Sequence, residues 1–321
     1  MITQFENSIM KKISIIIPVF NEQEVIKECI KRINKVFKKS GYRYEIIFID
    51  DGSEDNSLKI LKKHARQEKN IKILSFSRNF GHQMAITCGM DYAGGDAAAI
   101  IDADLQDPPE ILLKMLKKWE EGYHIIYGKR QKRKGESFFK LLTAKIFYRI
   151  LSFFTEIKIP LDTGDFRVID KKVLEQMRSV REKHRFMRGL TVWVGFKTTY
   201  VKYDRDRRYA GRSKYPFFKM LRFAIDGITS FSSKPLKLAT LLGFMGFITG
   251  LGLTIYAVIS YFYFTREHSG WTSTMLVIIF FGSTQLFTLG ILGEYLGRMH
   301  EELKKRPLYI VNEKINIKKK K

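Results

Sequence analysis

The chain has 321 residues, with 57 Lys and Arg against 33 Asp and Glu, and a formal net charge of +24 at pH 7. This length allows one sizeable domain and a smaller appendage. The charge predicts an anionic partner, with nucleic acid, anionic lipid and a phosphorylated substrate all open at this point. The two cysteines, Cys29 and Cys88, have no metal-ligand spacing, which argues against a disulfide framework and indicates reduced thiols in the cytosol.

The N-terminal part alternates short runs of β-branched residues with helical patterns. Strands are predicted at Ile13–Pro18, Glu45–Asp50, Ile71–Phe76, Ala97–Asp102 and His124–Gly128. Helices are predicted between them at Glu22–Lys39, Asp55–Glu68, Gly81–Ala93 and Pro109–Glu121. Apolar strands that are each followed by a helix predict an α/β fold with a mainly parallel sheet covered on both faces.

Polar side chains follow these predicted strands, at the edge where such sheets bind their ligands. They are Asn21, Asp50, Asp51, Ser77, Arg78, Asp102 and Asp104.

A basic run, KRQKRK at Lys129–Lys134, precedes the segment Ser137–Phe154. On a helix, this segment has a broad apolar face and regularly spaced cations, which predicts a helix lying in the membrane interface. An ordinary helix facing a protein core is the alternative. Tyr215–Ser233 has a similar composition and predicts a second interfacial helix.

Two later segments, Leu238–Phe264 and Trp271–Gly293, contain no charged side chain. Both exceed the length of about 20 residues that crosses a bilayer, so we expect two transmembrane helices. Lys and Arg flank the pair on its outer sides, and the N-terminus has no apolar stretch of signal-peptide length. The positive-inside rule therefore predicts that both termini lie in the cytoplasm.

The stretch IIDADLQDPPE at Ile100–Glu110 contains the most informative carboxylates. Asp102 and Asp104 follow an apolar strand two positions apart, and such side chains project to the same side of an extended chain. Mg²⁺ or Mn²⁺ prefers oxygen ligands and binds through one or two carboxylates together with substrate phosphates. A metal held here would stabilise a diphosphate leaving group. The alternative is that both carboxylates cap the following turn.

Several motifs occur together with this one: SIIIPVFNEQEVI, IIFIDDGSEDNS, FSRNFGHQMAITCGMDYAGGD, LDTGDFRVID and RRYAGRSKY. In combination they resemble glycosyltransferase family 2, which has the GT-A fold, a Rossmann-like α/β domain. The resemblance is greatest to the bacterial polyprenyl-phosphate glycosyltransferases related to dolichol-phosphate mannose synthase. It runs from about Lys12 to Val311, both spans included.

The resemblance implies a nucleotide-sugar site and a metal. The residues expected to line the nucleoside pocket are Pro18, Phe20, Glu22 and Asp51, with Ser77 and Arg78 as further donor-side candidates. Those expected at the metal are Asp102, Asp104 and Gln106, with Asp102 also approaching the donor.

For the acceptor, the resemblance makes Asp165 the catalytic carboxylate, either as a base or as a group that orients the acceptor or an arginine. A phosphate monoester already carries most of its negative charge at neutral pH, which weakens the need for a base.

Two basic segments complete the predicted site. A loop with Arg208, Ser213 and Lys214 is expected to close over a diphosphate. Lys129, Arg130 and Lys134 are expected to hold the acceptor phosphate, while anionic head groups offer a second role for this run. We expect His82 and His184 to be structural.

The implied function is the inverting transfer of a hexose from a nucleotide sugar to undecaprenyl phosphate at the cytoplasmic membrane face. UDP-glucose is the first choice of donor because the chain resembles the bacterial glucosyl carriers, followed by UDP-N-acetylglucosamine and GDP-mannose. A processive polysaccharide synthase is less consistent, since the chain lacks a Gln-x-x-Arg-Trp motif and further spans. Nucleic-acid binding is not expected, because the cations lie beside membrane segments and no stacking-aromatic RNA motif occurs. The spans are compatible with a homo-oligomer.

These expectations divide the chain into four parts. They are a nucleotide-sugar-binding half at 1–135, an acceptor-side part with interfacial helices at 136–233, two transmembrane helices at 234–297 and a basic cytoplasmic tail at 298–321.

Overall fold

The computed structural model of the chain describes residues 10–131, 163–206, 229, 232–263 and 270–317. Within these ranges, eight strands form one sheet. They are β1 (Lys12–Val19), β2 (Arg43–Asp50), β3 (Ile71–Phe76), β4 (Ala97–Ile100), β5 (Ile125–Arg130), β6 (Thr163–Asp170), β7 (Thr198–Tyr203) and β8 (Val311–Ile315). The helices are α1 (Ile26–Phe37), α2 (Ser57–Gln67), α3 (His82–Tyr92), α4 (Glu110–Glu120), α5 (Lys171–Ser179), α6 (Met187–Trp193), α7 (Lys234–Tyr263) and α8 (Trp271–Leu303).

The sheet order is β7-β5-β6-β4-β1-β2-β3-β8. Strands β4, β1, β2 and β3 are parallel, which confirms the predicted parallel centre. Strand β6 lies between β4 and β5 and is antiparallel to both, and β8 is antiparallel to β3. The sheet is therefore mixed, because β6 and β8, which come later in the chain, join the N-terminal parallel strands in the antiparallel direction.

The core lies on both faces of the sheet. On one face, Ile13, Ile15 and Ile17 of β1 pack with buried side chains of α1, α2 and α4. On the other, Ile16 packs with buried side chains of α3, α5 and α6. Burial on both faces is the reason that β1 is apolar along its length instead of alternating.

The loops that follow β1 and β2 are joined by hydrogen bonds. The backbone N–H of Asn21 donates to Ser53 Oγ at 3.0 Å, and that of Glu22 donates to Ser57 Oγ at 2.9 Å. Asn21 has a φ of 54°, a left-handed value that Asn tolerates better than most residues. These bonds fix the residues after β1 at the carboxyl edge of the sheet, where a ligand is expected.

Helices α7 and α8 are long and apolar enough to cross a membrane, over Lys234–Ser260 and Ser273–Leu303. Their described apolar side chains are almost all exposed, which would be unfavourable in water. Gly246 and Gly250 lie one turn apart on α7, and a Cβ at either would approach the Phe281 ring of α8 at 3.5 Å. Small residues at such spacing let two membrane helices approach closely.

After α8 the chain returns to the sheet. The backbone N–H of Ser77 donates to the carbonyl oxygen of Ile310, and the Tyr309 ring stacks on Phe76 at 5.2 Å between centroids. The hydroxyl of Tyr309 donates to Asp91 at 2.6 Å. Strand β7 precedes the helical hairpin and β8 follows it, so both ends of the hairpin belong to one domain.

Several predicted segments lie outside the described residues. They are the interfacial helix Ser137–Phe154, nearly all of the second one at Tyr215–Ser233, and the tail from residue 318 onwards.

We predict that Gly52→Ala lowers the thermal unfolding temperature in detergent more than Gly41→Ala does. Both glycines have left-handed φ values, 70° and 76°, and a side chain there costs roughly 1–2 kcal/mol. Only at Gly52 would a Cβ also meet backbone atoms, at 2.5 Å from Arg78 C and 2.7 Å from Asn79 N. Equal losses at both positions would show that the close approach to the Arg78–Asn79 peptide is unimportant.

Candidate active site

The predicted metal-binding carboxylates lie in a tight turn after β4. This strand ends at Ile100, so Asp102 and Asp104 do not lie on the extended chain that was predicted, and that geometric reason was wrong. Leu105 has a φ of 58° and a fully buried side chain, which anchors the turn in the core. The backbone N–H of Gln106 donates to Asp104 Oδ1 at 3.1 Å. A left-handed leucine is sterically costly, and such backbone is concentrated at functional sites.

Three carboxylates repel each other around this turn. Burial raises the pKa of Asp102 to about 6; the charges of Asp107 and Asp104 add to that effect, and the charge of His82 opposes it. Within the described residues, no group of three or more His, Cys, Asp or Glu side chains is arranged to hold a metal ion by itself. Two carboxylates that need a countercharge still fit Mg²⁺ or Mn²⁺, because these ions take remaining ligands from substrate phosphates and water.

Asp165, the predicted catalytic carboxylate, is the third residue of β6 and is only 9 % exposed. Thr163, Gly164 and Asp165 are the first three residues of this strand. Asp165 Oδ1 accepts a hydrogen bond from Arg167 Nη2 at 2.9 Å and lies 3.5 Å from Arg188 Nε. Burial opposes ionisation, but Arg188, His82 and Arg167 hold the pKa of Asp165 well below its usual range.

Arg167 belongs to the candidate site, although the sequence did not indicate it as a site residue. It is 1 % exposed, and its guanidinium donates to oxygens of Gly164, Asp165, Met187 and Thr191. These bonds join β6 to α6 and hold Asp165 from the side away from solvent. The motif TGDFR could have identified Arg167, because an arginine that is buried within a strand needs a buried partner for its charge.

His82 was predicted to be structural, but it lies between two carboxylates of the site. Its Nε2 is 3.4 Å from Asp165 Oδ2 and 3.6 Å from Asp102 Oδ1. Burial lowers the pKa of His82, but the hydrogen bond to Asp165 and the charge of Asp102 outweigh it and raise the pKa to about 9. The neighbouring Gln83 also donates to Asp165 Oδ2, at 3.2 Å. The first turn of α3 therefore bridges β4 and β6.

The predicted nucleoside-pocket residues lie at the carboxyl ends of β1 and β2. Pro18 is buried in β1, while Phe20 and Glu22 are half-buried in the loop that follows. Asp51 is 3 % exposed and accepts the backbone N–H groups of Phe80 and Gly81, at 2.7 and 3.0 Å. Burial raises the pKa of Asp51 and these two hydrogen bonds oppose the effect. In this structure Asp51 therefore holds the loop before α3.

The donor-side residues Ser77 and Arg78 are exposed after β3. Arg78 Cζ lies 4.1 Å from the centroid of the Phe80 ring, and Arg78 Nη1 donates to the carbonyl oxygen of Asn79 at 3.0 Å.

A second cluster is built around Asp107, which is 1 % exposed. The hydroxyl of Tyr203 donates to Asp107 Oδ1, and Arg130 Nη2 and Arg205 Nε lie 3.8 and 3.7 Å from the same oxygen. Arg130 also lies against Gly164, because a Cβ there would stand 2.7 Å from Arg130 Nη2. The groups around Asp107 and the groups around Asp165 thus lie next to each other at the Gly164–Asp165 peptide.

The predicted acceptor-phosphate residues separate in the structure. Strand β5 extends to Arg130, two residues beyond the predicted end, so Lys129 and Arg130 point to opposite faces. Lys129 Nζ lies 4.9 Å from the centroid of the Tyr200 ring, and only Arg130 reaches Asp107. Lys134, Arg208, Ser213 and Lys214 lie outside the described residues.

The carboxyl edge of the sheet thus carries a carboxylate turn, a guanidinium beside Gly164 and cations around Asp165. This arrangement can hold a metal-bound diphosphate on one side and a phosphate on the other.

Comparison with protein families gives two matches. The model described as "Glycosyl transferase family 2" matches residues 14–178, and the model described as "GtrB C-terminal hairpin" matches residues 234–299. The first covers the sheet through α5, and the second covers the two long apolar helices.

Similar proteins extend along almost the whole chain. "Uncharacterized glycosyltransferase YkcC" of Bacillus subtilis is 50% identical, over 96% of this chain and 95% of that protein. "Prophage bactoprenol glucosyl transferase homolog" of Escherichia coli is 38% identical, over 94% of this chain and 98% of that protein.

Among solved structures, glucosyl-3-phosphoglycerate synthase from Mycobacterium tuberculosis, in complex with Mn²⁺, UDP and phosphoglyceric acid, is 16% identical. The TM-score is 0.48, and the match covers 68% of this chain and 76% of that one. A likeness this distant assigns neither a donor nor a metal.

The family model matches residues 14–178, which form most of the sheet, and both relatives align along nearly the whole chain. These matches agree with the arrangement of strands and helices described above. The chain therefore belongs to glycosyl transferase family 2 and has a GT-A domain followed by a helical hairpin.

Proposed function

We propose that this enzyme transfers glucose from UDP-glucose to a polyprenyl phosphate, with inversion, at the cytoplasmic face of a membrane. The observation that carries the proposal is the meeting of the carboxylate turn Asp102–Asp104 and the Arg130 guanidinium at one edge of the sheet, in a chain with a membrane hairpin. The relative named as a bactoprenol glucosyl transferase homolog supports both the sugar and the lipid.

The proposed reaction is a single displacement. An oxygen of the acceptor phosphate forms a bond to the anomeric carbon, and the bond from that carbon to the donor diphosphate breaks. The nucleoside diphosphate leaves with the electron pair of the broken bond, and the configuration at the anomeric carbon is inverted. A phosphate monoester has a second pKa of about 6, so its attacking oxygen needs no proton removed at neutral pH.

Asp102 and Asp104, with Gln106 beside them, are the residues that would hold Mg²⁺ or Mn²⁺. The metal would supply positive charge to the leaving diphosphate. Leu105 anchors the turn, because its side chain is buried in the hydrophobic core. Phe20 and Glu22 follow β1, and Ser77 and Arg78 follow β3. They are proposed to contact the donor because they lie at the same carboxyl edge of the parallel strands as this turn.

Arg130 is proposed to bind the acceptor phosphate. Its guanidinium is 24 % exposed and is oriented by Asp107 and by Tyr203, whose hydroxyl accepts from Arg130 Nε at 3.3 Å. A planar guanidinium held in this way can contact two phosphate oxygens at once.

The proposed orientation has the GT-A domain and both termini in the cytoplasm. Since β7 precedes the hairpin, β8 follows it and both strands belong to one sheet, the two helices would cross in opposite directions. The cationic flanks of the hairpin support the cytoplasmic side.

Membranes containing the protein are expected to form a labelled polyprenyl-phosphate sugar when given radiolabelled UDP-glucose and undecaprenyl phosphate. UDP-N-acetylglucosamine and GDP-mannose serve as competing donors, and the labelled lipid is identified by mass. Preferential labelling from either competitor would contradict glucose as the transferred sugar. The absence of labelled lipid from every donor would contradict the whole proposal.

Asp104→Asn is expected to reduce metal-dependent transfer by at least about 100-fold, because removing a preorganised charge at a leaving group has an effect of this size. Initial rates are measured across a Mn²⁺ and Mg²⁺ titration. Asp96→Asn is the matched control, since Asp96 lies at the opposite end of β4 and accepts the Lys12 backbone N–H. Asp104→Asn with the metal response of the wild type would rule out a metal at this turn.

Gly164→Ala is expected to raise the KM for polyprenyl phosphate roughly tenfold while the protein remains folded, since a displaced charged hydrogen bond has about this effect. The added Cβ would occupy the position 2.7 Å from Arg130 Nη2, and the flexible arginine would move away. Gly94→Ala is the control, because its Cβ would meet neighbours only at 3.5 Å and beyond. An unchanged acceptor KM would argue against Arg130 as a phosphate ligand.

A further inference from the structure

We propose that Arg188 binds the phosphate of the lipid acceptor and that Asp165 acts by positioning Arg188, not by accepting a proton. This inference rests on the proposed transfer to a polyprenyl phosphate. Arg188 is the second residue of α6 and is 26 % exposed, whereas Asp165 beneath it is 9 % exposed.

Both carboxylate oxygens of Asp165 are engaged by the protein itself. Oδ1 accepts from Arg167 and lies 3.5 Å from Arg188 Nε. Oδ2 accepts from Gln83 and lies 3.4 Å from His82 Nε2. A general base must reach the proton that it removes, through a direct hydrogen bond or one water. A carboxylate surrounded on both oxygens by donors is better suited to hold those donors in place.

The reaction gives Asp165 no proton to remove. The acceptor phosphate is already largely a dianion at neutral pH, since its second pKa is about 6. What the approaching dianion requires is positive charge at a fixed position, and a guanidinium supplies this in a geometry that matches phosphate oxygens.

The two arginines at Asp165 have different surroundings. Arg167 is 1 % exposed, and its hydrogen bonds to Gly164, Met187 and Thr191 keep it inside the protein. It therefore fixes Asp165 and the start of α6 relative to each other. Arg188 extends from that same helix start to the same carboxylate oxygen and is partly open to solvent. Only Arg188 of this pair can meet a ligand.

The location of Arg188 identifies which phosphate it would meet. Arg130, the proposed acceptor ligand, lies against Gly164, and Arg188 lies against the next residue, Asp165. Neighbouring residues of a strand point to opposite faces, so the two guanidiniums lie on either side of the β6 backbone, at residues that extend beyond the end of β4. His82 lies between Asp165 and Asp102 of the metal-binding turn. A phosphate at this end of β6 would be contacted by Arg130 from one side of the strand and by Arg188 from the other.

The test is a set of variants assayed with separate titrations of nucleotide sugar and polyprenyl phosphate. Arg188→Gln is expected to raise the KM for polyprenyl phosphate at least about tenfold, with a change below about threefold in the KM for the nucleotide sugar. Arg188→Lys is expected to recover part of this loss, because a positive charge is retained without the bidentate geometry. A structural role alone would lower both substrates' apparent affinities together.

Asp165→Asn and the double variant Asp165→Asn with Arg188→Gln test positioning. If Asp165 acts through Arg188, the double variant matches Arg188→Gln within about twofold, as expected for residues that form one unit. If Asp165 is instead a general base, the double variant loses a further factor of about 100 or more in kcat beyond the loss in Arg188→Gln. That result would overturn the proposal. If Asp165→Asn does not fold, the acceptor KM of Arg188→Gln and Arg188→Lys decides the phosphate assignment.

Arg181→Gln is the matched control, because Arg181 pairs with Asp91 at 2.8 Å outside the site. Its KM values are expected to equal those of the wild type. If the wild type labels the lipid but Arg188→Gln behaves like this control, or raises only the KM for the nucleotide sugar, Arg188 is not an acceptor ligand. If the wild type labels no lipid, the proposed function itself fails.

Discussion

The buried pair of Arg167 and Asp165 is the interaction on which the site depends. A charged side chain loses its hydration inside a protein, so it persists there only with a partner and further hydrogen bonds. Arg167 meets this requirement by donating to β6 and α6 at once, and Asp165 meets it by accepting from α3 as well. The same contacts that satisfy two buried charges therefore bring three elements to one point at the sheet edge.

Carboxylates and guanidiniums lie next to each other at this edge. The turn after β4 gathers carboxylates that favour a divalent cation, while Arg130, Arg188 and Arg205 stand around β5, β6 and β7. The antiparallel insertion of β6 between β4 and β5 sets the distance between the two groups. An arrangement of this kind suits a reaction in which a phosphate attacks a centre whose leaving group is itself a diphosphate, since each anion then has its own countercharge.

The helical hairpin is joined to the β3 edge of the same sheet. The segment after α8 passes along β3, where Ile310 bonds to Ser77 and Tyr309 stacks on Phe76, before it adds β8 to the sheet. In the last turn of α8, Glu301 Oε2 lies 2.8 Å from His184 Nε2. These contacts restrain how the GT-A domain can tilt relative to the hairpin, which matters for an enzyme whose acceptor is proposed to lie in the bilayer.

The sequence by itself determined the parallel centre of the sheet and the two long apolar helices, because hydrophobic periodicity and span length are local properties. It also located Asp102, Asp104 and Asp165 through their motifs. Only the tertiary structure decided that the carboxylates lie in a turn held by Leu105, that Lys129 and Arg130 point apart, and that His82, Arg167 and Arg188 surround Asp165. His82 and Arg188 are far from Asp165 in the chain, so their contacts with it depend on the order of the strands. Lys129 and Arg130 differ by one position, so the direction of each side chain depends on the strand register, which no local pattern encodes.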